Sequence, residues 1–387
     1  MTAVSVHDRI FESKQSQRKM KKNVLTTIVI LVTCMVVNNI SAQTEIPFFV
    51  GTYTGEHSQG IYKYQLNPDG TMDSIGLAAI TPNPSYLAKS TDSQYLLTIS
   101  EVSSKDKVGF VKSYRILEDS LVLVSESTSG GAHPCFITVN EKGYVLVANY
   151  TGGNMSLLKM DRSGGLSDLL DLQQHEGSDI TERQRGPHAH SAWFDPLNDN
   201  ILAVDLGTNE LWISTIDTKN QTLKPASPAT LSMNPGAGPR HLDFHPNGKW
   251  IYVVNELDCT VSLVEREGNG YRLGPSYSTL PDDFDGRNTC AHVMVSSDGK
   301  YVYASNRGHN SIAMFSINRK NGQLTAQGHQ SVQGETPRNF NLSPGDKYLV
   351  VANQRTNNMV SFKRDKKTGQ LTPVDEIHAP KPVCVLF

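Results

Sequence analysis

The stretch RHLDFHPNGKWIYVVNE (residues 240–256) has a counterpart farther along the chain, AHVMVSSDGKYVYASNR (residues 291–307). Each copy reads as an apolar strand, a turn that contains Asn-Gly or Asp-Gly, and a second apolar strand that ends in polar residues. These dipeptides favour tight hairpins because such a turn needs a positive φ. The two stretches therefore predict a repeated β-hairpin.

The same hairpin recurs along most of the chain. It is clear at residues 135–150 and 338–354, and weaker at residues 85–101 and 190–206. Each copy is followed by a third apolar strand, such as residues 260–264, and by traces of a fourth. A period of roughly 50 residues is the range expected of propeller blades.

The two ends of the chain hold complementary parts of one further copy. Residues 47–53 and 60–64 supply a second and a third strand, whereas residues 381–387 are a first strand alone. Joining them closes a ring, which avoids a large open sheet edge. The sequence therefore predicts an all-β fold, a seven-bladed β-propeller that spans residues 43–387 and is closed by the C-terminal strand.

The N-terminal residues 1–42 differ from the rest. A basic cluster at residues 18–22 precedes an apolar run at residues 24–37, and the small residue Ala42 follows. This order is typical of a secretory signal peptide, with Met20 as an alternative start. The run is shorter than the about 20 residues of a membrane span. We predict export to the periplasm or the cell exterior without stable membrane insertion, and an uncleaved anchor is the alternative.

Composition and cysteine spacing exclude several classes of function. Lys and Arg number 36 and Asp and Glu 38, so the net charge of −2 gives no reason to expect a nucleic-acid partner. The cysteines beyond residue 42 lack CxxC spacing, and a closed cysteine zinc site is not expected. Their pairing and the oligomeric state stay open. These cysteines are Cys135, Cys259, Cys290 and Cys384.

The repeat also locates a site. In a blade, the start of the first strand and the end of the second lie at the same end of the hairpin, so every blade presents both positions on one face. The first column reads Ser85, Cys135, His190, Arg240, Ala291 and Arg338. The second column reads Glu101, Tyr150, Leu206, Glu256, Arg307 and Gln354. Charged groups that converge around one channel mouth predict a site for a polar ligand.

Some residues in or beside these columns admit a structural interpretation. Asn149 belongs to a series of asparagines at strand ends, where a structural role is favoured. Glu101 and Asp205 suit surface or turn roles equally well. His188 and His190 would point to the same side of a strand, but no third metal ligand is evident. We therefore predict no metal.

Several motifs resemble those of a known family. They are GAGPRH (residues 236–241), VNEL (residues 254–257) and TPRNFN (residues 336–341), with GPHAH at residues 186–190. The chain is similar to the lactonase family of seven-bladed propellers, which includes propeller-type 6-phosphogluconolactonases and carboxy-muconate cyclases. The resemblance covers residues 43–387. It implies a catalytic site of His, Arg, Glu and Arg, which corresponds here to His190, Arg240, Glu256 and Arg307.

These residue types suit the opening of a lactone. The reaction needs a base that activates water and cations or N–H donors for the developing oxyanion. His190 or Glu256 would be the base, and Arg240 and Arg307 would hold the oxyanion or an anionic substituent. The nucleophile motif GxSxG is absent from the sequence, so a covalent acyl-enzyme is not expected. The residues expected to contact the substrate are His188, His241, Asn149, Arg338 and Gln354.

The predicted partner is a small lactone, and no cofactor is expected. Because 6-phosphogluconolactone forms inside cells, export favours an unphosphorylated sugar lactone. Two alternatives stay open on the same residues. One is a propeller that binds a carbohydrate or a protein without catalysis, and the other is a cyclase that forms a lactone.

Overall fold

A computed structural model describes residues 10–23 and 45–387. Residues 10–23 form a helix with exposed side chains. The apolar run at residues 24–37 and the predicted boundary at residue 42 lie outside the described residues. Within the described ranges, no helix is long and apolar enough to cross a membrane.

Residues 45–387 form 28 strands joined by turns and loops, with one short 3-10 helix at Glu182–Gln184. In chain order the strands are β1 (Ile46–Thr52), β2 (Gly60–Leu66), β3 (Met72–Ile80), β4 (Leu87–Lys89), β5 (Tyr95–Ser100), β6 (Phe110–Ile116), β7 (Leu121–Thr128), β8 (Pro134–Val139), β9 (Tyr144–Asn149), β10 (Asn154–Lys159), β11 (Asp171–Gln174), β12 (Ala189–Phe194), β13 (Ile201–Asp205), β14 (Glu210–Asp217), β15 (Thr222–Ser232), β16 (Pro239–Phe244), β17 (Trp250–Asn255), β18 (Thr260–Glu267), β19 (Gly270–Ser278), β20 (Cys290–Val295), β21 (Tyr301–Asn306), β22 (Ser311–Ile317), β23 (Leu324–Ser331), β24 (Pro337–Leu342), β25 (Tyr348–Asn353), β26 (Asn358–Arg364), β27 (Leu371–His378) and β28 (Pro382–Leu386).

The strands form seven four-stranded antiparallel sheets, and the prediction of a seven-bladed propeller is confirmed. Blade 1 consists of β28, β1, β2 and β3, so the last strand of the chain pairs with the first. Blades 2 to 7 take the remaining strands in groups of four, from β4–β7 to β24–β27. In the closing pair, Phe49 lies opposite Leu386 and Val50 opposite Val385.

Burial explains why the second strand of each blade is a continuous apolar run. Strand β9, with the sequence YVLVAN, is buried at every position, and so is β25. Both faces of such a strand pack against neighbouring blades, so no position needs to be polar. The outermost strands, such as β27, have one side in solvent, and most of their side chains are exposed or half-buried.

Turn glycines pack one blade against the next. Gly322, in the turn before β23, has φ +73°, and a Cβ atom there would lie 2.6 Å from the Trp250 ring of the preceding blade. The Tyr252 hydroxyl also donates a hydrogen bond to the Gly322 carbonyl at 2.7 Å. Only glycine satisfies both the positive φ and the close approach.

A β-bulge at the start of the inner strand positions the site. In five blades the second residue of that strand has no partner in the ladder, and blade 6 has a register shift at the same place, between Cys290 and Val293. A bulge re-aims the side chain of its extra residue. The bulged residues are Cys135, His190, Arg240, Arg338 and Val383.

The closing strand should be essential for stability. Replacing the buried Val385 with Asp places a carboxyl group inside the closed ring, and we expect a loss of roughly 4 kcal/mol or more. The matched control is Val374→Asp on the exposed strand β27, which should change stability by about 0.5 kcal/mol or less. Urea unfolding of both variants measures the difference. Equal effects would show that closure by β28 contributes little.

Candidate functional site

The bulged ends of the inner strands surround a cavity of about 350 Å³. It lies at the end of the hairpins opposite the Asn-Gly and Asp-Gly turns, as the repeat predicts. The lining residues are Tyr53, Glu101, Cys135, Tyr150, Arg183, His190, Glu256, Thr289, Arg307 and Arg338.

A second, larger groove of about 870 Å³ lies at the other end of the hairpins, along turns of blades 3 and 4. Its lining includes exposed loop residues such as Glu141, Leu197 and Asp199. The groove includes one buried carboxylate, Asp195, which is paired with Arg266, whereas several buried charged side chains converge on the smaller cavity. The smaller cavity is therefore the better candidate for a site.

Glu256 is bound by three arginines. Its Oε2 atom lies 2.8 Å from Arg307 Nη2 and 3.1 Å from Arg240 Nε. Its Oε1 atom lies 3.1 Å from Arg183 Nη2. The carboxylate is buried, but the Arg307 and Arg240 cations lower its pKa far below the usual range against the effect of burial. Glu256 is therefore a permanent anion and a weak base.

Arg240 is the innermost of these arginines and is almost completely buried. Besides Glu256, its Nη1 atom donates to the Ala291 carbonyl and lies 3.3 Å from His241 Nε2. Burial, together with the Arg338 and Arg307 cations, lowers the pKa of Arg240 to about 9. Its guanidinium remains charged at neutral pH and has a fixed orientation.

His190 lies beside these charges without an ion pair. Its Nδ1 atom is 3.6 Å from the Cys135 thiol, and its ring meets the Tyr150 ring edge-on at 5.3 Å. Burial, and secondarily the Arg240 cation, lowers the pKa of His190 well below its ordinary value. The imidazole is therefore neutral at neutral pH.

His241 lies behind Arg240 and does not line the cavity, contrary to its predicted contact with substrate. Its Nδ1 atom is 2.8 Å from His292 Nδ1. Because a guanidinium only donates, His241 Nε2 must accept from Arg240, and His241 Nδ1–H must donate to His292. The pair supports Arg240 from inside the channel.

Two other predicted contacts are also absent from the lining. His188 Nδ1–H donates to the Tyr150 carbonyl at 3.1 Å, and its ring stacks on Tyr150 at 4.5 Å. The bulge at His190 separates the two histidines, so they do not act as a pair on one side of the strand. Asn149 is fully buried, and its amide donates to the Ser129 carbonyl at 2.8 Å, which corresponds to the structural alternative for this residue.

No group of three metal-ligating side chains occurs in the described part of the chain.

Of the predicted contact residues Arg338 and Gln354, only Arg338 lines the cavity. The Arg338 guanidinium is half-buried in the cavity wall and lies 5.3 Å from the centre of the Tyr53 ring. Within residues 10–23 and 45–387 it forms neither an ion pair nor a hydrogen bond. Gln354 donates its backbone N–H to Thr336 at 3.0 Å, and its side chain is not among the lining groups.

Sequence reasoning missed several lining residues. Arg183 lies in the long loop between β11 and β12, outside both columns, so the repeat gave no signal for it. The loop is held by Asp179, which accepts from the Gly236 N–H at 2.7 Å, and by Gln184, which donates to the Leu206 carbonyl at 2.9 Å. Glu101 stood in the second column, where a site role and a surface or turn role suited it equally, and it lines the cavity.

Comparisons with known proteins agree with this architecture. Residues 47–387 match the family described as "Lactonase, 7-bladed beta-propeller". The 6-phosphogluconolactonase of Bacillus subtilis (strain 168) is 36% identical over 302 residues, which cover 76% of this chain and 84% of that protein. A 6-phosphogluconolactonase of Formosa agariphila is 33% identical over 307 residues, covering 76% and 86%. The structure of the Pseudomonas aeruginosa periplasmic gluconolactonase PpgL superimposes with a TM-score of 0.84 at 30% identity, covering 88% of this chain and 98% of that one.

The buried anion should hold the arginines together. Glu256→Gln leaves Arg240 without a counter-charge, and we expect a loss of about 3–5 kcal/mol at pH 7. The pKa of Glu256 is lower in the folded state, so its contribution is complete above the unfolded carboxyl pKa of about 4 and is lost as the pH falls further. The difference between wild type and variant should therefore shrink below about pH 4.

Urea unfolding as a function of pH measures this effect. The control is Glu335→Gln, which removes a carboxylate from a largely exposed pair with Arg355 and should cost less than about 1 kcal/mol. A Glu256→Gln variant as stable as wild type at neutral pH would contradict the assigned role of the anion.

Proposed function

We propose that this protein hydrolyses an aldonic lactone by direct attack of water, since the chain belongs to the lactonase family of seven-bladed β-propellers. The observation that carries the proposal is the group of arginines that converges on the cavity around Glu256. Family membership confirms the predicted class of enzyme, a lactonase.

The charge of the cavity favours an anionic substrate. Four arginines face the two carboxylates Glu101 and Glu256, and the buried histidines are neutral, which leaves an excess of positive charge. Such an excess stabilises a developing oxyanion because the donors are oriented before the reaction. Guanidinium groups also bind carboxylate or phosphate with two parallel hydrogen bonds.

The arginines divide into two sets by their partners. Arg240 and Arg307 share Oε2 of Glu256, and of the two Arg307 lines the cavity, where its fixed guanidinium suits the oxyanion of the tetrahedral intermediate. Arg338 lies against the Tyr53 ring and near the Glu101 carboxylate, but within the described residues its guanidinium forms no ion pair or hydrogen bond, so it is available for an anionic substituent of the substrate. Glu256 would keep the first set in place and balance its charge.

Neither predicted base is well suited to accept a proton from water. Glu256 is stabilised as an anion by three arginines, which makes it weakly basic. His190 is neutral, but burial and the Arg240 cation disfavour its protonation. His190 can still orient a water molecule or the substrate at the cavity wall.

The expected compartment remains outside the cytoplasm. The basic and apolar order of the N-terminal residues supports export, and the similar PpgL protein is described as periplasmic. A lactone that carries a carboxylate would satisfy both the charge of the cavity and this compartment. The phosphorylated lactone provides the direct comparison.

Hydrolysis is tested with the purified protein on glucono-lactone and its 6-phosphate, each measured against spontaneous hydrolysis at neutral pH. We expect a rate above background, and Arg307→Leu should lower kcat by about 100-fold because an oxyanion donor is lost. The absence of a rate on both lactones, and on a carboxylated lactone, would overturn the proposal.

Arg338 should determine the preference for an anionic substituent. Arg338→Leu should raise KM for the 6-phosphate by about tenfold or more and leave KM for the uncharged lactone within about threefold. The control is Arg355→Leu, which removes a mostly exposed arginine that pairs with Glu335. Equal losses on both substrates would show that Arg338 has a structural role.

A further inference from the structure

A second carboxylate, Glu101, lines the same cavity but has surroundings unlike those of Glu256. It follows strand β5 of blade 2, and its Oε2 atom accepts a hydrogen bond from the Tyr53 hydroxyl at 2.8 Å. The Ser85 hydroxyl donates to the same oxygen. Two neutral donors, one from blade 1 and one from blade 2, therefore fix the orientation of the carboxylate.

The other oxygen of Glu101 is not engaged. Within residues 10–23 and 45–387, its Oε1 atom accepts no hydrogen bond, and the Arg338 cation acts on the carboxylate electrostatically without forming an ion pair with it. Both oxygens of Glu256, in contrast, are used by arginines. Cations therefore occupy both oxygens of Glu256, whereas Oε1 of Glu101 keeps lone pairs that can accept a proton from water.

We propose that Glu101 is the general base of the lactonase site, and that Tyr53 and Ser85 position it. The inference rests on the proposed hydrolysis. It gives the two carboxylates separate tasks: Glu256 holds the arginines, and Glu101 takes part in proton transfer. Arg338, which contacts the ring of Tyr53, lies on the same side of the cavity and can hold the substrate near Glu101.

Glu101 accepts one proton and returns one proton over the whole reaction. Glu101 takes one proton from water while the water oxygen forms a bond to the lactone carbonyl carbon, and the carbonyl oxygen becomes an oxyanion beside Arg307. The oxyanion then collapses and the ring C–O bond breaks. The protonated Glu101 returns its proton to the departing alkoxide, which yields the hydroxy acid and restores the carboxylate.

A purely structural role for Glu101 is the competing interpretation, because it connects Tyr53 of blade 1 with Ser85 of blade 2. A structural role would appear as lost stability and weaker binding. Loss of a general base would instead lower kcat and change the pH dependence of kcat. Glu101→Gln keeps the size of the side chain and an oxygen that can accept both hydroxyl hydrogen bonds, so it separates the two.

The experiment compares wild type, Glu101→Gln and Glu335→Gln on the lactone that wild type hydrolyses fastest. We expect Glu101→Gln to lower kcat by about 100-fold or more at pH 7, with KM within about threefold. The difference in kcat between wild type and Glu101→Gln should shrink with rising pH, because hydroxide attacks the lactone without the help of a base. Added formate should restore part of the rate to Glu101→Ala, and Glu335→Gln should match wild type.

The outcomes distinguish this inference from the function on which it rests. An active wild type whose Glu101→Gln variant retains more than about a tenth of kcat would overturn the role of Glu101 and leave the hydrolase intact. A proportional loss of thermal stability and binding, without pH or formate dependence, would assign Glu101 a structural role. A wild type inactive on uncharged, phosphorylated and carboxylated lactones would overturn the hydrolase itself, and the base with it.

Discussion

The pairing of β28 with β1 is the constraint on which the rest of the structure depends. A propeller places every inner strand around one axis, and this arrangement holds only if the first and last blades are joined. Here the joint is made inside blade 1, where the C-terminal strand is the innermost of four. Closure brings Tyr53 of blade 1 next to Glu101 of blade 2 and Arg338 of blade 7, so it also completes the cavity.

The cavity concentrates charges that would be unfavourable one at a time. A buried guanidinium such as that of Arg240 is costly without a partner. Glu256 compensates this cost for Arg240 and at the same time orients Arg307 and Arg183. A carboxylate used in this way is poorly suited to accept protons. The division of work between Glu256 and Glu101 follows from that incompatibility.

The fold could be predicted from the sequence because its signal is repeated. The hairpin recurs with buried second strands, and β9 and β25 lie within the hairpins predicted at residues 135–150 and 338–354. The columns also predicted that His190, Glu256, Arg307 and Arg338 lie at one cavity, because the repeat places these positions at the same end of every hairpin. Arg240 lies directly behind Glu256. The direction of a side chain could not be predicted in this way. The columns place a Cα atom at the mouth of the channel, but the Asn149 side chain points into its own blade and the His241 side chain points into the channel. Arg183 comes from a loop between two blades, which the columns of the repeat do not include.

The β-bulges have a consequence for how such a site can change. At a bulge, the side chain of the extra residue projects from a backbone position that contributes nothing to the ladder, so its identity is nearly independent of strand pairing. This chain already carries Cys, His, Arg and Val at the bulged position of different blades. A single framework can therefore acquire a new set of groups around its axis by point substitution, without any change in the register of its sheets.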